Sequence, residues 1–161
     1  MGTRADTKAR VVGVISDTHG LLRPEAVEAL KGSELIVHAG DIGGPEVIEA
    51  LRAIAPVVAV RGNNDRGEWA EVFPVYDVIE VGAAFVYVLH DLKELDLSPE
   101  AAGFRVVVSG HSHKPLVEER RGVLYLNPGS AGPRRFKLPV TVARLSLNGG
   151  EARAEIINLA V

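Results

Sequence analysis

The feature that most constrains the fold is an alternation of short apolar runs with amphipathic segments in the first half of the chain. Residues 11–16 (VVGVIS), 34–40 (ELIVHAG) and 56–62 (PVVAVRG) are apolar and rich in β-branched residues, which is typical of strands buried in a parallel sheet. Two segments between them, 23–32 (RPEAVEALKG) and 44–55 (GPEVIEALRAIA), carry a proline near the start and apolar residues at helical spacing. This β-α-β-α-β order predicts parallel strands joined by right-handed crossovers.

The second half of the chain is dominated by predicted strands. These are VYDVIEVG (75–82), AAFVYVLH (83–90), RVVVSG (105–110), GVLYLNPG (122–129), PVTVARLSL (139–147) and EARAEIINL (151–159). Gly82 and Asn148-Gly149-Gly150 predict hairpin turns, and residues 91–103 form a helical or irregular insert. Since no linker or repeat divides the chain, we predict a single domain over residues 1–161, with residues 1–9 as a flexible tail.

Composition limits the chemistry. The 161 residues contain no cysteine, which excludes disulfides, thiolate metal ligands and cysteine nucleophiles, so that any metal must be held by nitrogen and oxygen. The net charge is only -3, and a nucleic acid is therefore not expected as an obligate partner. No apolar run approaches the length of a membrane span. We expect no membrane association and a cytoplasmic location.

Polar residues gather where the predicted strands end. The first three strands are followed by SDTHG, HAGD and RGNND, and later strands end in His90-Asp91, GHSH (110–113) and NPGS (127–130). All five histidines of the chain lie at or just past a strand end. Because the carboxyl ends of strands form the ligand crevice of open α/β sheets, we expect these groups to converge. An H-x-H pair alone is weak evidence for a metal site, whereas the set taken together indicates one.

The same residues carry a resemblance to a known family. The ordered set is Asp17-x-His19, Gly40-Asp41, Gly62-Asn63-Asn64-Asp65, His90 and Gly110-His111-Ser112-His113. Over about residues 11–135 the chain resembles the calcineurin-like metallophosphoesterases, specifically the small single-domain bacterial and archaeal phosphodiesterases. The resemblance implies an α/β fold: a four-layer α/β/β/α sandwich of two mixed β-sheets flanked by helices, with the metal site at the strand ends.

The resemblance also implies a cofactor and an activity. Two divalent transition-metal ions are expected, with Mn²⁺ as the first choice and Ni²⁺, Fe²⁺, Co²⁺ or Zn²⁺ as alternatives that suit nitrogen and oxygen ligands. The implied ligands are Asp17, His19, Asp41 and His113 for one ion, and Asp41, Asn63, His90 and His111 for the other. The implied reaction is hydrolysis of small phosphodiesters by in-line attack of a metal-bridging hydroxide, with Asp41 and Asn64 as catalytic residues. The expected partner is a small phosphoester, and self-association into a homo-oligomer is compatible with the sequence.

Other polar residues have predicted roles around this site. The candidates for contact with the substrate phosphate are Asn64, Arg23, Arg66 and Arg134, the arginines because a guanidinium binds phosphate through two hydrogen bonds. Asp65, Asp91 and Asn127 are expected to support the ligands by hydrogen bonding. Two assignments stay open: Asp91 either accepts from a ligand imidazole or starts the next helix, and the basic segment 133–137 is either a solvated face or a phosphate contact.

Some residues are expected to be structural or depart from the family pattern. His38 is assigned a structural role or a supporting contact to the ligands. Trp69 and Phe73 are assigned to core or lid packing, with the border of the substrate cleft as the alternative for this segment. Many relatives have a histidine where this chain has Asn64, and because an amide cannot deliver a proton at neutral pH, the general acid stays unassigned.

Two other functions remain open. One is a phosphomonoesterase. The other is a non-catalytic protein-binding scaffold, like the retromer subunit that has this fold with a degraded metal site; such a module would have no reason to retain seven ligands.

Overall fold

Ten strands and four helices follow one another in residues 9–161, the part of the chain that the computed structural model describes; of the predicted tail, residues 1–8 lie outside it. The strands are β1 Arg10–Ile15, β2 Leu35–His38, β3 Val57–Ala59, β4 Tyr76–Val81, β5 Ala84–Leu89, β6 Val106–Val108, β7 Leu116–Arg120, β8 Val123–Asn127, β9 Thr141–Asn148 and β10 Glu151–Asn158. The helices are α1 Pro24–Leu30, α2 Pro45–Arg52, α3 Glu68–Glu71 and α4 Pro99–Ala102.

The first sheet has the strand order β10-β9-β1-β2-β3. Strands β1, β2 and β3 are parallel, which confirms the β-α-β-α-β prediction. On its other side, β1 pairs antiparallel with β9, so that Val14 lies between Val37 and Ala143. The hairpin between β9 and β10 turns at Asn148-Gly149-Gly150 as predicted.

The second sheet has the order β4-β5-β6-β8-β7. Strands β5, β6 and β8 are parallel, and the two edge strands β4 and β7 pair antiparallel with their neighbours. Both sheets are therefore mixed, and the predicted fold class is confirmed.

The main core lies between the two sheets. Side chains alternate along β1, so that Val12 and Val14 enter this core while Ile15 packs on the other face with the helices. Helices α1 and α2 cover that outer face through Leu30, Ile48 and Leu51. Among the described residues, no helix is long and apolar enough to cross a bilayer.

The outer face of the second sheet has a thinner cover. Tyr87 and Val107 pack under Leu92 and Phe104 of the predicted insert, which contains a 3₁₀ turn at Leu92–Glu94 and the single turn of α4. The insert is thus partly helical and partly irregular.

Two elements were not predicted. Strand β7 has the polar sequence LVEER, and four of its five residues are exposed. It is an edge strand held by main-chain pairing with β8, so its side chains show no apolar alternation. Helix α3 is a single turn whose Ala70 is buried, and nearby Trp69 and Phe73 are partly buried against the core under the helices, as expected for packing residues.

Candidate metal centre

The carboxyl ends of four strands meet at one edge of the sandwich. Asp17 follows β1 and Asp41 follows β2 in the first sheet, while His90 and His113 come after β5 and β6 in the second. Two groups of potential ligand atoms within 4.8 Å of one another lie here: Asp17 with His19 and His113, and Asp17 with Asp41 and His90. The structure therefore brings together five of the seven side chains that the resemblance implied as ligands.

The backbone is strained at these positions. Among the described residues, seven that are not glycine have φ in the left-handed region, and five of them are implied ligands: Asp17, His19, Asp41, His111 and His113. Such conformations cost of order 1–3 kcal/mol each and cluster at functional sites. Asp and His tolerate them better than most residues do. The turns that aim these side chains are therefore maintained by contacts elsewhere.

One set of these contacts joins the loops after β1 and β2. The N–H of Asp17 donates to the carbonyl of Gly40 at 2.9 Å, and the N–H of His19 donates to that of Asp41 at 2.9 Å. These bonds continue the parallel ladder past the strand ends, so the two carboxylates are fixed relative to each other.

The buried Asp65 carboxylate ties a third loop to this pair. It accepts N–H groups from Ile42 at 3.0 Å, Gly43 at 3.0 Å and Gly62 at 2.9 Å. Asp65, predicted to support the ligands, therefore binds the Gly62–Asp65 turn to the loop that carries Asp41.

The two oxygens of Asp17 have different surroundings. Oδ2 accepts the Ser16 hydroxyl at 2.6 Å and the N–H of His111 at 3.1 Å. Oδ1 lies 3.4 Å from Nε2 of His113 and 3.8 Å from Nε2 of His19. One oxygen is held by the protein, and the other faces the histidines.

Hydrogen bonding fixes the tautomer of His90. Its Nδ1 lies 2.7 Å from the carbonyl oxygen of Ala39, and because a carbonyl only accepts, Nδ1 donates. In the neutral ring, Nε2 then carries the lone pair, and this atom lies 3.4 Å from Oδ2 of Asp41. The ring is thus oriented as a metal-ligating imidazole commonly is.

The carboxylates and His90 perturb one another's ionisation. Burial by itself lowers the pKa of His90, but the Asp41 and Asp17 carboxylates outweigh it and raise this pKa to about 9. Burial would raise the pKa of Asp41, yet the nearby His90 ring and the hydrogen bonds from Asn64 hold this pKa well below its usual value. The pKa of Asp17 is likewise lowered, because His113 and Ser16 outweigh burial.

Several buried polar atoms of this cluster have no hydrogen-bond partner within residues 9–161. They are Oδ1 of Asp17, Nε2 of His19, Nε2 of His90 and Nδ1 of His113. Leaving such an atom unsatisfied costs about 1–3 kcal/mol, whereas nitrogen and oxygen donors of this kind suit a divalent transition metal. Atoms bound to one ion at about 2.0–2.2 Å lie a little over 3 Å apart, close to the separations observed here. The residues present fit a metal.

The other two implied ligands are placed less centrally. His111 belongs to neither group; its side chain is 44% exposed, with Nε2 3.8 Å from Oδ2 of Asp91. Asn63 is exposed in the turn after β3. Of the four residues implied for the second ion, the structure brings together Asp41 and His90. Asp17 belongs to both groups of ligand atoms, whereas the resemblance implied that Asp41 is the residue shared by the two ions.

Asp91 takes one of the two roles left open for it, that of starting the next helical turn. Its Oδ1 accepts the N–H of Lys93 at 3.1 Å and caps the 3₁₀ turn. Its other oxygen faces His111, but at 3.8 Å it is beyond hydrogen-bond distance.

Asn64 contacts Asp41. Its backbone N–H donates to Oδ1 of Asp41 and its side-chain amide donates to Oδ2, both at 2.9 Å. The amide predicted to contact phosphate thus holds a candidate ligand in this structure.

The arginines proposed as phosphate contacts differ in exposure and in the hydrogen bonds of their side chains. Arg66 is exposed just after the Gly62–Asp65 turn. Nη2 of Arg23 donates to the carbonyl of Gly132 at 3.2 Å. The Arg134 guanidinium donates to the carbonyls of Leu138 at 3.3 Å and Val161 at 3.0 Å. Arg134 is therefore engaged with main chain, whereas Arg66 faces solvent.

Asn127 supports the GHSH turn. Its amide donates to the carbonyl of Gly110 at 2.9 Å and to the Ser112 hydroxyl at 3.1 Å, while its Oδ1 accepts the N–H of Gly129. Asn127 lies where a supporting residue was expected, and the Ser112 hydroxyl also accepts the N–H of Lys114.

Two residues that support the site, Ser16 and Thr18, were not predicted, whereas His38 was expected to have a structural role or to support the ligands. Nδ1 of His38 accepts the N–H of Gly40 at 3.1 Å, and its Nε2 lies 2.9 Å from the Thr18 hydroxyl, which itself donates to the carbonyl of Ile42. A neutral Nε2–H imidazole satisfies every bond, and burial lowers the pKa of His38 to about 4. The available signal was the hydroxyl residues on both sides of Asp17 in SDTHG.

Comparison with known proteins agrees with this geometry. Residues 11–150 match the model of the calcineurin-like phosphoesterase superfamily domain, and the chain belongs to this superfamily of metal-dependent phosphoesterases. A probable metallophosphoesterase of Methanothermobacter thermautotrophicus is 37% identical, over 91% of each chain. An archaeal phosphodiesterase of solved structure superposes with a TM-score of 0.75 at 25% identity, covering 91% of this chain and 99% of that one. Vps29 of Chaetomium thermophilum superposes with a TM-score of 0.74 at 18% identity, covering 93% and 97%, which shows the shared fold alone.

Proposed function

We propose that this chain is a dinuclear metal-dependent phosphodiesterase that hydrolyses small phosphodiesters. The observation that carries the proposal is the convergence of candidate ligand atoms at the strand ends, several of which are buried without a hydrogen-bond partner in residues 9–161. The residues are Asp17, His19, Asp41, His90 and His113. Two comparisons support the proposal: the chain belongs to a superfamily of phosphoesterases, and one of the similar solved structures is a phosphodiesterase.

The implied ligands are divided between two ions in this proposal. Asp17, His19 and His113 would hold one ion and Asp41 and His90 the other, with Asp17 or Asp41 shared between them. The remaining implied ligands of the second ion are Asn63 and His111. Such ions supply a hydroxide nucleophile near neutral pH and polarise the phosphoryl oxygens.

The protein groups orient the reacting parts. Ser16 and the N–H of His111 hold Oδ2 of Asp17, which leaves Oδ1 for an ion. Asn64 holds Asp41 through both carboxylate oxygens, and when its amide is released it is placed to donate to a phosphate beside Asp41. Arg66, exposed beyond the same turn, is the arginine that we assign to the substrate phosphate.

The test compares two aryl substrates. Purified protein with Mn²⁺ is expected to hydrolyse bis(4-nitrophenyl) phosphate faster than 4-nitrophenyl phosphate. Asp41→Asn and His19→Ala should abolish this activity, whereas Asp77→Asn on β4 should retain it. Faster turnover of the monoester would support the phosphomonoesterase alternative instead.

The scaffold alternative is kept because Vps29 shares the fold. Metal content alone would not separate the two functions, since a scaffold can retain an ion. Turnover separates them. If the protein binds two ions per chain but hydrolyses neither aryl ester with Mn²⁺, Ni²⁺, Co²⁺ or Zn²⁺, the enzymatic function is contradicted. The choice of Mn²⁺, the cytoplasmic location and self-association stay predictions.

A further inference from the structure

A loop of nine residues, 131–139, lies at the edge of the candidate metal centre. Its ends meet where Ser130 bridges to Val140. Its base rests on the segment that carries Asp17: the Ser130 hydroxyl donates to the carbonyl of Asp17 at 3.1 Å, and the N–H of Ala131 donates to that of Ser16 at 3.1 Å. The loop is therefore built onto the same backbone that aims a candidate ligand.

Gly132 makes the closest approach. A Cβ at this position would lie 2.5 Å from the carbonyl oxygen of Asp17 and 2.4 Å from that of Thr18, distances that a side chain could not adopt. From here to Phe136 the chain has four residues, so the two Cα atoms are at most about 14 Å apart. Phe136 is therefore tethered within about 14 Å of the point where Gly132 packs against the backbone of Asp17.

Arg134 holds the loop in shape. Its guanidinium donates to the carbonyls of Leu138 and Val161, and the N–H of Leu138 donates to the carbonyl of Arg135 at 3.1 Å. The side chains of Arg135 and Lys137, in contrast, are exposed and make no hydrogen bond or ion pair within residues 9–161. Two cations are therefore free on either side of Phe136.

Phe136 has two unusual properties. Its side chain is 89% exposed, more than any other large apolar side chain in residues 9–161. Its φ of 53° lies in the left-handed region, which is an outlier for a bulky residue. A strained backbone that presents an aromatic ring to solvent between two free cations has no role in the packing of the core, and strained residues of this kind cluster at ligand clamps.

We propose that the 131–139 loop binds the nucleoside part of a phosphodiester substrate, with the base stacked on Phe136 and the phosphate held at the metal centre. Arg135 and Lys137 attract the negatively charged phosphate toward the site. Because every base has a flat face, stacking on one ring is tolerant of base identity. The proposal rests on the proposed phosphodiesterase function and narrows its substrates to nucleoside phosphodiesters without strict base preference.

The experiment compares two diesters with the same leaving group. Thymidine 5′-(4-nitrophenyl phosphate) and ethyl 4-nitrophenyl phosphate both release 4-nitrophenolate and differ in the nucleoside. The wild-type protein should show the higher kcat/KM for the thymidine ester. Phe136→Ala should reduce kcat/KM for this ester roughly 5- to 100-fold, the usual effect of removing a stacking ring, and leave the ethyl ester unchanged. Phe136→Trp should restore the preference.

Phe85→Ala provides the matched control. Phe85 is also an exposed phenylalanine, at 44%, but it lies near the start of β5, at the end of the strand opposite to the metal centre. This variant should behave like the wild type with both esters. Equal loss on both esters in Phe136→Ala, or a wild-type protein that does not distinguish the esters, would overturn the proposal.

A binding measurement separates this proposal from the proposed function. Thymidine 5′-monophosphate should bind the wild-type protein more tightly than it binds Phe136→Ala, as measured by calorimetry, whereas inorganic phosphate should bind both alike. Hydrolysis of both diesters without a nucleoside effect would refute the loop proposal and leave the phosphodiesterase intact. If neither diester is hydrolysed but thymidine 5′-monophosphate binds the wild type more tightly than Phe136→Ala, the phosphodiesterase function is refuted and nucleoside binding by the loop is supported.

Discussion

At the scale of single residues, the hydroxyl of Ser16 decides which oxygen of Asp17 remains free. Ser16 is fully buried, and its bond to Oδ2 is the shorter of the two that this oxygen accepts. Without it, the carboxylate can rotate and the buried charge loses a hydrogen bond. Ser16 is thus a positioning residue for the candidate metal centre.

Replacing Ser16 should weaken metal binding. Ser16→Ala is expected to lower the affinity for Mn²⁺ or Co²⁺ by about 10- to 100-fold, the usual effect of removing a partner of a ligand, as measured by calorimetric titration. Ser16→Thr retains the hydroxyl and should recover most of the affinity. Ser146→Ala, on β9 and paired with Val11 at the other end of the sheet, serves as the control. Unchanged affinity in Ser16→Ala would show that Asp17 is oriented by other contacts.

His38 makes the folded protein sensitive to acid. Its folded pKa of about 4 lies below the ordinary value of 6.5, so between these values the unfolded chain binds a proton that the folded chain does not. Stability is therefore lost as the pH falls through this window, by up to about 3 kcal/mol. Protonation would also place a second N–H against the N–H of Gly40, whose bond His38 accepts.

The measurement is urea unfolding of metal-free protein from pH 7 to pH 4.5. His38→Gln can still accept from Gly40 and donate to Thr18, but it does not titrate. Its free energy of unfolding should fall less steeply with decreasing pH than that of the wild type. Parallel pH profiles for the two proteins would contradict the assignment of a neutral His38.

At the scale of elements, the loops that carry the site are bound to one another. The Asp65 carboxylate accepts three N–H groups from two loops, and a neutral amide cannot replace it because one of its two acceptor atoms becomes a donor. Asp65 thus connects the turn after β3 to the loop after β2.

Asp65→Asn should lower the free energy of unfolding of metal-free protein by about 2 kcal/mol or more, since hydrogen bonds to charged groups contribute about 1.5–3 kcal/mol each. Metal affinity should also fall, because Asp41 lies in the loop that is released. Chemical denaturation and metal titration of the same preparation measure both effects. Asp77→Asn is the control, since within residues 9–161 this carboxylate accepts only the N–H of the adjacent Val78. A variant as stable as this control would show that the loops are held without Asp65.

The sequence predicts those elements whose side chains show an apolar pattern or a marked turn. Strands β1 and β2 are continuous apolar runs, and the turn between β9 and β10 is marked by Asn148-Gly149-Gly150, so these elements are found where they were predicted. Strand β7 could not be predicted, because main-chain pairing with β8 holds a segment whose residues are mostly exposed and charged. The convergence of Asp17, Asp41 and His90 follows from their strand ends, whereas the bonding of Asn64 to Asp41 depends on loop conformation.

At the scale of the whole molecule, an ion at this site would connect the two sheets. Asp17, His19 and Asp41 extend from the first sheet, and His90 and His113 from the second. Metal binding should therefore stabilise the sandwich as a unit.

The expected gain is about 2.7 kcal/mol at an ion concentration of 100 times Kd, which thermal unfolding with and without chelator can measure. Asp17→Asn should remove the dependence on metal. Leu145→Ala, which removes a fully buried side chain between the sheets, should cost 2–5 kcal/mol yet keep the metal-dependent gain. A gain that survives in Asp17→Asn would place the ion elsewhere.

The bond from the N–H of His111 to Asp17 joins residues 94 positions apart in the chain. Loop closure over such a separation is slow compared with local structure formation, so the pocket for the ion is completed only after the strands of both halves have paired. A nascent chain that ends before β6 lacks His111 and His113, and it also lacks the β9 and β10 strands of the first sheet, so it cannot complete the candidate metal site. Metal binding would thus indicate that folding is complete, and an ion added during refolding should bind in the final kinetic phase of refolding.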